Sequence, residues 1–194
     1  KIYCDATYWL KNEIVDYIAP QIYWKIGGEQ DYIKLSEWWA DQSNGKNVFI
    51  GHALYKMNGD KEGWDAEEIA NQIKINRKNP KIDGSVFFRT IDVINNVNGI
   101  KDTLSENYYR HPALVPALNL TDSIPPLFPF NLTAFACAEG TYLNWHNPVS
   151  AIDGDKAKYI VVYRFNIDEE MNINNSKNII NVISPMPSAF IDSS

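Results

Sequence analysis

Three apolar runs at a near-regular interval, residues 16–23, 48–55 and 84–89, constrain the fold of this chain more than any other feature. A helical pattern follows each run. Residues 31–42 place Tyr32, Leu35, Trp38 and Trp39 at helical spacing. Residues 65–79 carry Ala66, Ile69, Ala70 and Ile73 on one face, with Asp65 as the expected N-cap and Glu68 completing a capping box. Residues 91–107 form the third helical stretch, with a break expected at Gly99. Strand–helix units that repeat every ~30–40 residues signify parallel βα architecture, as a doubly wound sheet or a TIM barrel. The runs are apolar on both faces, as parallel strands covered by helices must be. A barrel takes eight such units in about 250 residues. Three fit here, as a small open α/β piece or as the tail of a truncated barrel.

The pattern changes after Tyr108. His111-Pro112, Pro116, Pro125-Pro126 and Pro129 punctuate a stretch that cannot be helix and reads as extended. Beyond it the apolar period becomes two. Residues 132–137, 141–145, 158–165 and 178–183 are expected strands separated by Asp, Gly and Asn turns, the pattern of a β-sandwich. Trp145 closes the second of them as a core residue, and Tyr159, Val161 and Tyr163 alternate in the third. The expected organisation is an α/β domain over residues 1–115, a Pro-rich linker over 116–130 and a partial sandwich over 131–194.

Composition excludes several classes of function. A net charge of -6 without a stripe dense in Lys and Arg argues against a nucleic-acid partner. No apolar run reaches membrane-spanning length. The chain starts at Lys1 in structured sequence, so the natural N-terminus is expected to be missing and the lack of a signal pattern says nothing about localisation. Cys4 and Cys137 fall in different expected domains without a CxxC pair or a His at ligand spacing, so two buried thiols are expected rather than a disulfide or a metal site. No cofactor motif is present; Gly27-Gly28 is not a phosphate loop. The glycosylation-type triplets beginning at Asn119, Asn131 and Asn174 carry little weight in so Asn-rich a chain.

The stretches "YCDATYWLKNEIVDYIAPQIYW", "FIGHALYK", "WDAEEIANQIKINRKNPKIDGSVFFR" and "LSENYYRHPALVP" together resemble the C-terminal third of the glycosyl hydrolase-like 10 family. The resemblance covers residues 1–116 continuously. It implies a TIM barrel, a relation to glycoside hydrolases, and an extracytoplasmic home, secreted, periplasmic or lipid-anchored. The later stretch "LTAFACAEGTYLNW" with "KYIVVYRF" looks like the start of a fibronectin type III domain. Under this resemblance the three βα units are the last three of the barrel. The first five strands and the end of the sandwich are then expected to be missing from a truncated piece.

In a TIM barrel, functional residues gather at the C-terminal strand ends. Those ends supply Gln21, Tyr23 and Trp24 from the first run, His52, Tyr55 and Lys56 from the second, and Arg89 and Thr90 from the third, with Trp64 in the loop after the second. Amides, a guanidinium and aromatic faces suit a sugar, whose hydroxyls take planar hydrogen bonds and whose C–H faces stack on rings. Gln21 and Tyr23 form the strongest pair, since strand alternation puts both on one side. His52 also fits a packed barrel histidine, Lys56 a surface lysine, and Trp38 and Trp39 helix packing.

Glycoside hydrolysis usually needs two carboxyl groups flanking the scissile bond. None sits at an expected C-terminal strand end. Asp16 opens its run at the stability end, and Glu29, Asp31, Asp60 and Glu62 read as loop or cap residues. The leading expectation is therefore a fragment, inactive alone, of a hydrolase acting on an extracellular or cell-wall polysaccharide. The alternatives are a non-catalytic carbohydrate-binding or envelope scaffold protein, or a self-contained α/β domain with its own ligand. Three parallel strands cannot close a barrel. Self-association through exposed strand edges is the corresponding expectation about partners.

Overall fold

A computed structural model describes residues 3–58, 63–116 and 124–193. Asp60, Glu62 and the triplet beginning at Asn119 lie outside the described residues. The chain divides into two compact units, Lys1–Arg110 with Val115–Leu120 and His111–Leu114 with Thr121–Ser194.

The first unit opens with a helix that the apolar pattern did not announce, α1 (Ala6–Lys11), capped by Asp5, whose carboxylate accepts from the Tyr8 N–H at 2.9 Å. There follow β1 (Tyr17–Ile18), α2 (Tyr32–Asp41), β2 (Asn47–Ala53), a 3₁₀ turn (Leu54–Asn58), α3 (Ala66–Lys78) and β3 (Gly84–Phe88). The three strands form one parallel sheet in the order β1-β2-β3. The first run is a much shorter strand than expected. Its pairing lapses around Pro20, which has no N–H to donate, and resumes as a single bridge between Gln21 and Gly51. The register survives the gap, because the Pro20 carbonyl accepts from the Gly51 N–H at 2.9 Å and the Ile22 N–H donates to the Gly51 carbonyl at 3.2 Å.

α3 starts on Asp65, the expected N-cap, and α2 on Asp31, which reads in the sequence as a loop or cap residue. Asp31 accepts from the Gly27 N–H at 2.9 Å and the Ile33 N–H at 3.1 Å. These bonds, Gly27's first, hold its carboxyl below the usual carboxylate range. Asp65 accepts from the Glu68 N–H at 2.8 Å, but the expected capping box does not close. The Glu68 carboxylate accepts instead from the Ile26 N–H and from Gln72, both at 2.9 Å. The third helical stretch breaks earlier and more often than Gly99 alone implies. It runs as α4 (Thr90–Ile94), a 3₁₀ turn (Val97–Gly99), α5 (Ile100–Thr103) and a π-turn (Leu104–Tyr108). Asn96, Asn98 and Gly99 all take positive φ, and Asn and Gly adopt that region most readily.

One face of the sheet packs against the helices. Val48 and Ile50 of β2 join Ile22 and Tyr32 in a fully buried cluster flanked by Leu35, Trp39 and Ile75. A second cluster joins Ala53, Leu54, Met57 and Trp64 to Ile69 and Ile73 of α3 and to Ile100 and Leu104. Each fully buried Val or Ile here stabilises by roughly 1.5–3 kcal/mol.

The second unit is antiparallel. β4 (Phe130–Cys137), β5 (Gly140–His146), β6 (Ile160–Tyr163), β7 (Ile179–Ile183) and β8 (Ala189–Asp192) form a three-stranded sheet in the order β4-β5-β8 and a β6-β7 pair. β8 was not expected as a strand; its partner β5 lies far off in sequence, so no local pattern marks it. Gly140, at φ 137°, turns β4 into β5 where a Cβ would lie 2.1 Å from the Asp192 carbonyl oxygen. Trp145 is buried, as alternation predicted. The whole is a mixed α/β chain, a parallel sheet followed by antiparallel ones, consistent with part of a TIM barrel and a β-sandwich.

The thiols differ from expectation. Both are free, but Cys4 is exposed because it precedes α1 on the surface, and only Cys137 is partly buried. Among the described residues no helix is long and apolar enough to cross a membrane, and no three His, Cys, Asp or Glu side chains gather closely enough to hold a metal ion.

Candidate functional site

The register builds the site. Gly51 pairs with Gln21 on one side and Val86 on the other, and Ala53 pairs with Phe88. Alternation then sets Gln21, Gly51 and Val86 on the sheet face opposite Val48, Ile50 and His52, with Tyr23, Ala53 and Phe88 one level nearer the C-terminal ends. At that upper level three rings meet. Tyr23 lies edge-on to Tyr55, with centroids 5.9 Å apart, and stacks on Phe88 at 6.2 Å, while Tyr55 meets Phe88 edge-on at 5.9 Å. Phe88 remains 49% exposed, so flat apolar surface is open here. Burial first, and then the neighbouring Tyr55, push the Tyr23 phenol above its ordinary pKa. It therefore stays a neutral hydroxyl, able to donate and to accept.

Gly51 makes this arrangement fit. A Cβ there would stand 3.1 Å from the Pro20 carbonyl oxygen, 3.3 Å from the Gln21 Cα and 3.6 Å from the Tyr23 ring. Without it, the 20–23 backbone lies close against β2 in spite of the lapse at Pro20.

Two of the residues read from sequence are withdrawn from this surface. His52 is fully buried on the helix side of the sheet, stacked between Tyr32 and Phe87. Its Nδ1 lies 2.9 Å from Gln72 Oε1, and its Nε2 lies 2.9 Å from Ser85 Oγ and 3.4 Å from Asn76 Nδ2. Gln72 spends its amide hydrogens on the Trp24 carbonyl at 3.2 Å and on Glu68 at 2.9 Å. Its oxygen must therefore accept, and the proton of the neutral imidazole sits on Nδ1. Asn76 Oδ1 takes the Tyr32 hydroxyl at 2.9 Å, which completes a fully satisfied network. Burial lowers the His52 pKa to about 4 against the opposing effect of the Gln72 bond, and burial pushes the Tyr32 phenol well up. Trp64 belongs to the apolar cluster beneath, with Lys56 Nζ over its ring at 5.1 Å from the centroid.

Arg89 follows β3 and caps α4. Its guanidinium is half-exposed and lies 3.4 Å from the carboxylate of Asp92, a buried acid that also accepts from Asn58 Nδ2 at 2.8 Å. The structure thus brings Gln21, Tyr23 and Tyr55 to one end of the sheet, with Arg89 directly after Phe88, and keeps His52 and Trp64 below. Sequence reasoning passed over Phe88, Asp92 and Gln72, and read Glu68 only as part of a capping box. A signal existed for two of them: Glu68, Gln72 and Asn76 recur at i, i+4 and i+8, a polar stripe beside the apolar Ile69 and Ile73 on a helix that packs inward.

Residues 1–66 match the family model described as Glycosyl hydrolase-like 10. The chain is 35% identical over 168 residues to glycosyl hydrolase YngK of Bacillus subtilis (strain 168), a match that takes in 84% of this chain and 33% of the relative. It is 33% identical over 97 residues to glycosyl hydrolase DigH of Escherichia coli (strain K12), across 45% of this chain and 22% of the relative. The chain therefore spans a third or less of the length of these relatives. Together the family match and the two relatives make the chain similar to glycosyl hydrolase-like proteins.

Proposed function

We propose that this chain contributes part of the sugar-binding cleft of a glycoside hydrolase that acts on an extracellular or cell-wall polysaccharide outside the cytoplasm. One observation carries the reading. Gln21 and the Tyr23–Tyr55–Phe88 ring cluster stand together at the C-terminal ends of parallel strands, where βα barrels place their chemistry. Ring faces stack on sugar C–H surfaces, and the Gln21 amide and Tyr23 hydroxyl supply directional hydrogen bonds. Trp24 and Arg89, which follow Tyr23 and Phe88 in the chain, are assigned to the same cleft. The bond-cleaving carboxyl pair is assigned to the rest of the full-length protein, and the second unit to an accessory sandwich of fibronectin type III type.

A panel of soluble polysaccharides tested against the full-length protein decides this. Tyr23→Ala and Gln21→Ala should each raise KM about tenfold on the substrate found, on the order of one lost stacking or polar contact. An unchanged KM in both would remove these residues from the cleft.

A second reading, a non-catalytic carbohydrate-binding or envelope scaffold protein, is favoured by the state of Asp92. It is the buried carboxylate nearest these strand ends in sequence, and it is engaged by Arg89 and Asn58. Polysaccharide binding without any release of reducing ends would select this reading. The outer edges of β1 and β3 have no strand partner among the described residues, and pairing between copies is the matching proposal for self-association. Sedimentation of the isolated chain should then give a dimer or larger species; a monomer across the micromolar range would exclude it.

A further inference from the structure

The segment that leaves β1 and carries Tyr23 and Trp24 is gripped by its backbone at three points. Lys56 Nζ donates to the Tyr23 carbonyl at 2.5 Å, Gln72 Nε2 donates to the Trp24 carbonyl at 3.2 Å, and Glu68 Oε1 accepts from the Ile26 N–H at 2.9 Å. The gripping side chains are themselves fixed. Lys56 lies over the buried Trp64 ring, and Gln72 is fully buried between Glu68 and His52. His52 in turn is tied to Ser85 of β3. A loop whose backbone polar groups are taken up by a packed helix cannot drift without leaving those groups unsatisfied.

We propose that Lys56, Glu68 and Gln72 are positioning residues that set where Tyr23 and Trp24 are presented to a carbohydrate chain. The inference rests on the reading of this surface as a sugar-binding cleft. It places the rigidity of the cleft in α3 and its junction with β2 rather than in the rings that meet the ligand. A contact surface held in its bound geometry avoids the cost of ordering on binding, so its loosening weakens affinity rather than the chemical step.

The test uses Glu68→Ala and Glu68→Gln in the full-length protein, because the Gln carbonyl can still accept from Ile26. In Glu68→Ala the Ile26 amide should exchange with solvent about tenfold faster or more, and Glu68→Gln should restore the wild-type rate. KM for a polysaccharide substrate should rise about tenfold in Glu68→Ala with kcat nearly unchanged, and should recover in Glu68→Gln. Wild-type exchange at Ile26 in Glu68→Ala overturns the inference. Faster exchange with an unchanged KM overturns it as well. Faster exchange in a protein whose wild type binds nothing on the panel overturns the carbohydrate reading beneath it, while the backbone grip stands. Lys56→Met is the independent variant should Glu68→Ala not fold. It should shift the Trp24 fluorine resonance of protein labelled with 5-fluorotryptophan, and an unmoved resonance counts against positioning.

Discussion

Lowering the pH from about 7 to about 4 is expected to cost the first unit about 3 kcal/mol of stability through His52 alone. The folded state holds this imidazole at a pKa of about 4, against 6.5 for the free side chain, with burial as the main cause. Between those values the unfolded chain binds a proton that the folded chain refuses. The contribution is therefore complete above about pH 6.5 and is lost as the pH falls toward 4. The surroundings explain why the proton is refused. Gln72, Ser85 and Asn76 meet the ring edge and Tyr32 and Phe87 its faces, none of them charged. Glu68 is reached only through Gln72. Urea unfolding at the two pH values, compared between wild type and His52→Asn, isolates the effect. The variant will be less stable overall, but its loss on acidification should be smaller by about 3 kcal/mol. An identical pH dependence in the two proteins would refute the account.

Trp145→Ala should unfold the second unit outright. Truncating a buried aromatic costs about 3–5 kcal/mol, and a core within about 70–80 residues rarely supplies more than that. Trp145 is 3% exposed, and it lines an apolar cavity with Leu143, Ile160 and Val162. Its indole N–H donates to Asn147 Oδ1 at 3.1 Å, and Asn147 in turn donates to the Pro185 carbonyl at 2.6 Å. The side chain thus joins the end of β5 to the segment leading into β8 through one polar link as well as through packing. Hydrogen exchange of peptides from β5, β6 and β7 reads the outcome without interference from the five other tryptophans. Protection should vanish in Trp145→Ala and be retained in part in Trp145→Phe, which keeps a ring and loses the N–H. Undiminished protection in Trp145→Ala would show that the core lies elsewhere.

The parallel βα order was legible because it rests on local periodicity. The runs ending at Tyr23, Tyr55 and Arg89 alternate with helices whose apolar stripe and Asp caps are written in consecutive residues. Trp145 was legible for the same reason, through alternation of period two. The candidate site was half legible: strand ends pointed to Gln21, Tyr23 and Tyr55, but equally to His52. An odd or even position along β2 decides between open surface and helix-packed interior, and only the pairing of β2 with its neighbours shows which parity faces which way.

The sequence by itself determined the three parallel strand–helix units, four of the later strands, and where a parallel architecture gives way to an antiparallel one, because those choices depend on neighbours within a few residues. The tertiary structure alone decided that Pro20 leaves β1 two residues long yet in register, that β8 pairs with β5, and that Glu68 abandons its own helix cap to hold Ile26. Each of these is a hydrogen bond between groups far apart along the chain. Its partner exists only once packing has brought the two elements together.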